Sequence, residues 1–273
     1  NRQRPCWTAP NCSSGCEHTW KGKGGSVDTV WAILLLLLSG LVLAVLLILR
    51  GRRGTLPTVR PLPAFQDLFG EIGYAAEGGG TIHIALGNGG LTGQDAITSL
   101  AALQALDALA DTAVLYNAPP IVTVGDATLL PLAQDVMRRA YERHGLSGRY
   151  DPARVRFVAP SPVAYAAGAA NVAAAEGVTA NVMMGAFGSE VSLIADAGAR
   201  RDLAQLAAVA APDAIGALYP ATERLAVGEE LYTAGAQLSH ARRYLASLVA
   251  QDILRVILAL TILGAAVLAC LVQ

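Results

Sequence analysis

The sequence predicts an α/β protein: a Rossmann-like three-layer sandwich with a mostly parallel sheet, flanked by two transmembrane helices. Three observations carry this. Residues 78–111, GGGTIHIALGNGGLTGQDAITSLAALQALDALAD, read as a strand, a glycine-rich turn and a long apolar helix. Strand-like runs recur three more times downstream, each ending in a turn that can start a helix. Two uninterrupted apolar runs, residues 30–49 and 253–272, lie one near each end. The hydrophobic fraction of 53% and mean hydropathy of +0.44 exceed what a soluble domain needs, and these runs hold much of the excess.

Residues 1–29 form a cysteine-containing tail, with Cys6, Cys12 and Cys16 close together and Cys270 far away in the last apolar run. Such a cluster ahead of a span points to an oxidising compartment. Three cysteines make one disulfide with a thiol left over, or one pairs with a cysteine upstream of Asn1, where a leader or ectodomain is expected. With His18 they number four possible ligands, but their spacing departs from the paired pattern of zinc sites, so no metal is assigned.

Residues 30–49, VWAILLLLLSGLVLAVLLIL, supply about 20 apolar residues, enough at about 1.5 Å each to cross the hydrocarbon core. Trp31 suits the outer interface, and Arg50, Arg52 and Arg53 follow the run at once. In residues 253–272 the one charge, Arg255, stands close enough to the start to snorkel. Arg50, Arg52, Arg53, Arg60, Arg242 and Arg243 lie between the runs, against Lys21 and Lys23 before them. The positive-inside rule then puts the middle of the chain in the cytoplasm and both termini outside, a two-pass topology in a bacterial cell membrane. Gly40 with Ala44, and Ala265 with Ala269, have the spacing that permits close helix packing.

Residues 50–65 are a linker, kept extended by Pro57, Pro61 and Pro63. The cytoplasmic domain, residues 66–250, opens with a short helix or turn over 65–74. The first strand places Ile82, Ile84 and Leu86 in alternation with His83 and Ala85. Residues 120–125 (PIVTVG) form a second strand, after which Asp126 or Thr128 caps a helix reaching Glu142. Residues 154–159 (RVRFVA) form a third, followed by Ser161 and Pro162 as N-cap and first helical residue. Residues 178–184 form a fourth. Residues 190–209 fit either two helices or a hairpin. Residues 228–248 read as a helix with Glu229 and Glu230 in its first turn, where they suit the dipole, and it can run on into the second apolar stretch.

Candidate ligand-binding residues follow from the topology. Gly87, Gly89 and Gly93 give a G-x-G-x-x-x-G pattern that includes Asn88 and Gly90. Thr92 with Asp95 makes a capping box at the helix start. Backbone amides there suit a phosphate or carboxylate. A dinucleotide site adds an acidic residue about 20 positions further on; Asp111 is near that offset but at a helix end, so the fingerprint is incomplete. Asp126, Ser161, Ser189 and Glu190 follow strands and should converge on the carboxyl edge of the sheet, either as ligand contacts or as plain caps, and Glu229 is a further candidate. His83, inside a strand, reads as a packed or edge residue. No nucleophile elbow, spaced His pair or activated Cys can be assembled, so no catalytic residue or cofactor is assigned. The net charge of −1, without blocks of like charge, gives no footprint for nucleic acid.

The segments GTIHIALGNGGLTGQDAITSLAALQAL, GAFGSEVSLIADAG and VGEELYTAGAQL resemble a family of uncharacterised bacterial and archaeal membrane proteins with a cytoplasmic Rossmann-like domain. The resemblance implies no activity. Two functions from different classes remain. One is a non-enzymatic scaffold or subunit of an oligomeric membrane complex, with the lipid bilayer and a homo-oligomer or other membrane-complex subunits as partners. The other is a membrane-tethered enzyme or sensor that holds a nucleotide or anion in the loop from Gly87 to Gly93. The topology predicts that a membrane-impermeant thiol reagent on intact cells labels Cys12 and misses a Ser147→Cys thiol; the reverse pattern would invert the orientation.

Overall fold

The computed structural model describes residues 63–65, 68–175, 177–239 and 254–259, together with Gly40 and Ile262. The cysteine tail, residues 50–62 of the linker and most of both apolar runs lie outside these residues.

A 3-10 turn, Pro63–Phe65, leads into α1 (Leu68–Glu77). Then β1 (Thr81–Gly87), α2 (Ala96–Leu115), β2 (Ile121–Val124), α3 (Leu129–Arg143) and β3 (Val155–Phe157) build one half of the fold. The other half is α4 (Pro162–Ala173), β4 (Val178–Ala186), α5 (Val191–Ala199), β5 (Ala204–Val209), α6 (Pro212–Leu218), β6 (Arg224–Val227) and α7 (Glu229–Ser239). All six strands are parallel, in the order β3-β2-β1-β4-β5-β6. The chain runs outward from β1 through β2 to β3, then returns to the other side of β1. The direction of winding therefore reverses between β1 and β4, and a crevice opens there at the carboxyl edge.

Strand composition follows from this arrangement. Ile82, Ile84 and Leu86 face a core shared with α1, α2, α3 and α7, while Ala85 and Met183 face one shared with α4, α5 and α6. Every residue of β1 after Thr81 is buried, because both sheet faces are covered. α2 packs against both α3 and α7 as well as the sheet, so it is apolar almost all round. Among the described residues it is the one helix long and apolar enough to cross a membrane; 67% of its apolar window is buried inside the domain, as in a core helix.

Several expectations are refined. The ambiguous stretch 190–209 is a helix and a strand, α5 and β5. α6 and β6 are elements the sequence reading left out: β6 is only four residues long, and α6 is announced mainly by Pro212 at its first turn. The capping box does not form. α2 starts at Ala96 behind Asp95, whose side chain makes no cap hydrogen bond. The preceding loop is held instead by its neighbours: Asn88 N–H donates to the Ala186 carbonyl (3.1 Å) and Leu91 N–H to Thr128 Oγ1 (3.2 Å). Ser161 does cap α4, accepting from Ala164 N–H with Pro162 at the first helical position. The helix expected over 228–248 is described as α7, Glu229–Ser239, and its continuation toward the second apolar run lies outside the described residues. Arg255 Nη1 donates to Glu229 Oε1 at 3.1 Å.

Where β1 and β4 part, the backbones nearly touch. A Cβ on Gly87 would lie 2.1 Å from the Ala186 carbonyl oxygen, and one on Gly185 would lie 2.2 Å from that of Leu86. Both glycines have positive φ, +81° and +141°. Gly87→Ala and Gly185→Ala should each cost about 3 kcal/mol or more in denaturant unfolding. Gly148→Ala, with no atom within 4 Å of the new methyl, should stay within about 0.5 kcal/mol.

Candidate functional site

The crevice between β1 and β4 is a cleft of about 440 Å³ walled by three loops. The loop after β1 and the first turn of α2 contribute Asn88, Asp95 and Thr98. The loop after β4 contributes Gly185 to Gly188 and Glu190, and the turn after β5 contributes Ala210, Ala211 and Asp213, with Pro162 closing one side. The lining carries three carboxylates and no Lys, Arg or His.

The carboxylates are held in different ways. Glu190 Oε1 accepts from Gly188 N–H at 2.8 Å, which pins the side chain over its own turn. A Cβ on Gly188 would meet Glu190 Oε2 at 2.5 Å and Asp213 Oδ2 at 3.1 Å, so the two acids converge on one backbone position. Asp95 sits at the head of α2, where a carboxylate suits the dipole and competes with any anion for the same helix end. Thr98 Oγ1 bonds Tyr232 Oη at 3.2 Å, joining this wall to α7. Gly89 packs over Ser99, whose Oγ would be 2.8 Å from a side chain there. Ser99 Oγ is also the buried side-chain polar atom that lacks a partner among the described residues.

Of the residues expected at the site, Asn88 and Glu190 line the cleft. Gly87, Gly89 and Gly90 form the loop beside it. Asp126 lies on the far side of that loop: its Oδ1 accepts from Thr128 N–H at 2.8 Å and from the Thr128 hydroxyl, and its Oδ2 faces Gly90. It nevertheless occupies the end of β2, the place where a dinucleotide fold carries its acid. The 20-residue α2 carries that position well past the expected offset, and Asp111 instead pairs with Arg143 at the distal end of α2. Ser161 is engaged as a cap, while Thr92 and Ser189 stand outside the lining. Glu229 binds Arg255, which holds its carboxyl below the ordinary value. Asp213 and Ala211 were missed because β5 was not resolved from its surroundings; the Ala-Pro-Asp sequence after an apolar run was the available signal. Among the described residues no group of three His, Cys, Asp or Glu side chains forms a metal site.

A family model, a domain of unknown function (DUF6754), matches residues 24–273. The chain belongs to this family. No curated protein and no solved structure matches it.

Beneath the cleft the DUF6754 domain carries a row of polar side chains through its apolar core. His83 on β1 pairs in register with Asn181 on β4, and Asn181 with Gln205 on β5. Gln205 Nε2 donates to the carbonyls of Ala195 (3.0 Å) and Ala221 (3.5 Å), so its Oε1 accepts from Asn181 Nδ2 (3.2 Å). Asn181 Oδ1 then accepts from His83 Nδ1–H (2.8 Å), and His83 Nε2 accepts from the Thr123 hydroxyl (2.9 Å). Tyr165 Oη, beside Thr123, accepts from Gly87 N–H at 3.2 Å, so the row ends at the glycine loop. Burial raises the Tyr165 pKa and keeps the phenol protonated.

Burial also lowers the His83 pKa from 6.5 to about 4, with its bond to Asn181 opposing the shift. Between those pH values the unfolded chain binds a proton that the folded chain does not, so this contribution is full above pH 6.5 and is lost as pH falls to about 4. The total is about 3 kcal/mol. His83→Gln, which keeps one donor and one acceptor, should flatten the fall in Tm between pH 6.5 and 4 relative to the native chain; parallel curves would refute the assignment.

Proposed function

We propose that this chain is a membrane-anchored, non-catalytic binding module. The apolar runs 30–49 and 253–272 hold the α/β domain at the cytoplasmic face, and the crevice between β1 and β4 takes a small ligand rich in hydrogen-bond donors. The observation that carries this reading is the cleft lining: Asp95, Glu190 and Asp213 with no basic side chain opposite them. A carboxylate-lined site attracts amines and other cationic or hydroxylated groups and repels a free anion. The lining also offers no paired nucleophile and base. The bilayer attachment is supported by the length and apolarity of the two runs, and by Leu254, Val256, Ile257, Leu258 and Ile262, which are helical and exposed.

A scaffold role is a second reading, favoured by the exposed Tyr74, Leu115, Tyr116 and Tyr219, aromatic and apolar side chains of the kind enriched at protein interfaces.

The binding reading is tested by thermal shift on the full chain in mild detergent. Primary amines (ethanolamine, agmatine, spermidine) at millimolar concentration should raise Tm by several degrees while inorganic phosphate does not. Asp95→Asn with Asp213→Asn should abolish the rise. Stabilisation by phosphate instead would favour an anion site at the glycine loop.

A further inference from the structure

The exposed apolar side chains are not scattered evenly. Ile97 (69% exposed) and Leu100 (53%) lie in the first turns of α2, Val163 (64%) in that of α4 and Leu193 (43%) in that of α5. In a parallel sheet those helix starts all belong to the carboxyl edge. Each also neighbours a wall of the cleft: Ile97 precedes Thr98, Val163 follows Pro162, and Leu193 is one turn beyond Glu190. An acidic cleft thus opens through an apolar rim drawn from helices on both faces of the sheet.

The same edge holds the described start of the second apolar run. Glu229 follows β6 after one residue, Gly228, and it binds Arg255 at the head of the run. The exposed helical residues 254–259 therefore start from the side of the domain on which the cleft opens. The other attachment permits this placement. About 13 residues separate Arg50 from Pro63, with a reach of up to about 45 Å, ample to pass from a bilayer surface along one side of the sheet to the turn at Pro63–Phe65.

We propose that the carboxyl edge faces the bilayer, with Ile97, Leu100, Val163 and Leu193 in its interface and the cleft opening onto amine-bearing lipid headgroups. This rests on the membrane-anchored binding reading above and names the source of the ligand. Apolar side chains around a polar opening match the layered interface, where headgroups lie above acyl chains. Asp95, Glu190 and Asp213 complement the ammonium of a zwitterionic headgroup and oppose an anionic one. The lipid enters from the bilayer side without crossing bulk water.

The test uses the full chain with Trp7, Trp20 and Trp31 replaced by Phe, carrying one new reporter in each variant: Ile97→Trp, Leu193→Trp, Tyr116→Trp or Tyr219→Trp. Each is reconstituted into vesicles of phosphatidylcholine with brominated acyl chains. Flotation comes first: a chain that does not float with vesicles overturns the membrane anchoring itself. In chains that float, bromine should quench the indole fluorescence of the Ile97→Trp and Leu193→Trp variants at least twofold more than that of the Tyr116→Trp and Tyr219→Trp variants. Equal quenching, or quenching confined to the latter two, would overturn the orientation while leaving the anchoring intact. Exchanging half of the lipid for phosphatidylethanolamine with the same brominated chains should preserve the difference, and exchanging half for phosphatidylglycerol with those chains should reduce it; an increase with phosphatidylglycerol would overturn the headgroup preference. Two reporters at each edge keep the comparison readable if one variant fails to fold.

Discussion

At the junction of β1 and β4 two backbones approach more closely than any side chain permits. Gly87 faces the Ala186 carbonyl and Gly185 faces that of Leu86, each occupying the space a methyl group would need. From this contact the rest of the carboxyl edge follows. The strands meet there at a register shift, the loops after them turn away from each other, and the space between becomes the cleft. The glycines that resemble a phosphate loop in sequence therefore have a packing reason for being glycine: Gly89 clears Ala186 and Ser99, and Gly90 clears Asp126.

The polar row below the junction is the second constraint. Burying an imidazole, two amides and a hydroxyl in a core of Ile, Val and Ala is costly unless each finds a partner. Here the register pairings place His83, Asn181 and Gln205 side by side on three strands, the Thr123 hydroxyl reaches His83 from the fourth, and the carbonyls of Ala195 and Ala221 close one end. A one-residue slip between β1 and β4 would strand His83 and Asn181 against apolar neighbours, so the row selects the register as well as filling space. Its other end, through Thr123 and Tyr165, reaches the Gly87 N–H, coupling the core to the loop that walls the cleft.

Charge then decides what such a cleft can accept. A helix start without side-chain caps is ordinarily suited to anions, yet Asp95 stands at the head of α2 and Glu190 and Asp213 converge on Gly188 across from it. In the binding reading proposed above, the electrostatics of the lining outweigh the generic preference of the fold. That reading therefore rests on the side chains that ring the opening and not on topology alone.

The strands β1 to β4 and the helices after the first three were legible in the sequence because each is long or strongly patterned: Ile82, Ile84 and Leu86 alternate, and Ser161-Pro162 announces a helix. β6 and α6 were not: Arg224–Val227 has one β-branched residue where the equally short β2 has four, and its identity as a strand comes from pairing with β5. Asn88 and Glu190 were legible as site residues because they follow strands. Asp213 was not, because its strand was ambiguous, and the capping role of Thr92 failed because neighbouring loops, distant in sequence, hold that turn. By itself the sequence determined the class of fold, the apolar runs and the order of the first four strands along the chain, all of which follow from local pattern. Only the tertiary structure decided the strand order across the sheet, the convergence of three carboxylates from three loops, and the return of Arg255 to Glu229. Each of these depends on residues brought together from distant parts of the chain, a juxtaposition that local propensity does not encode.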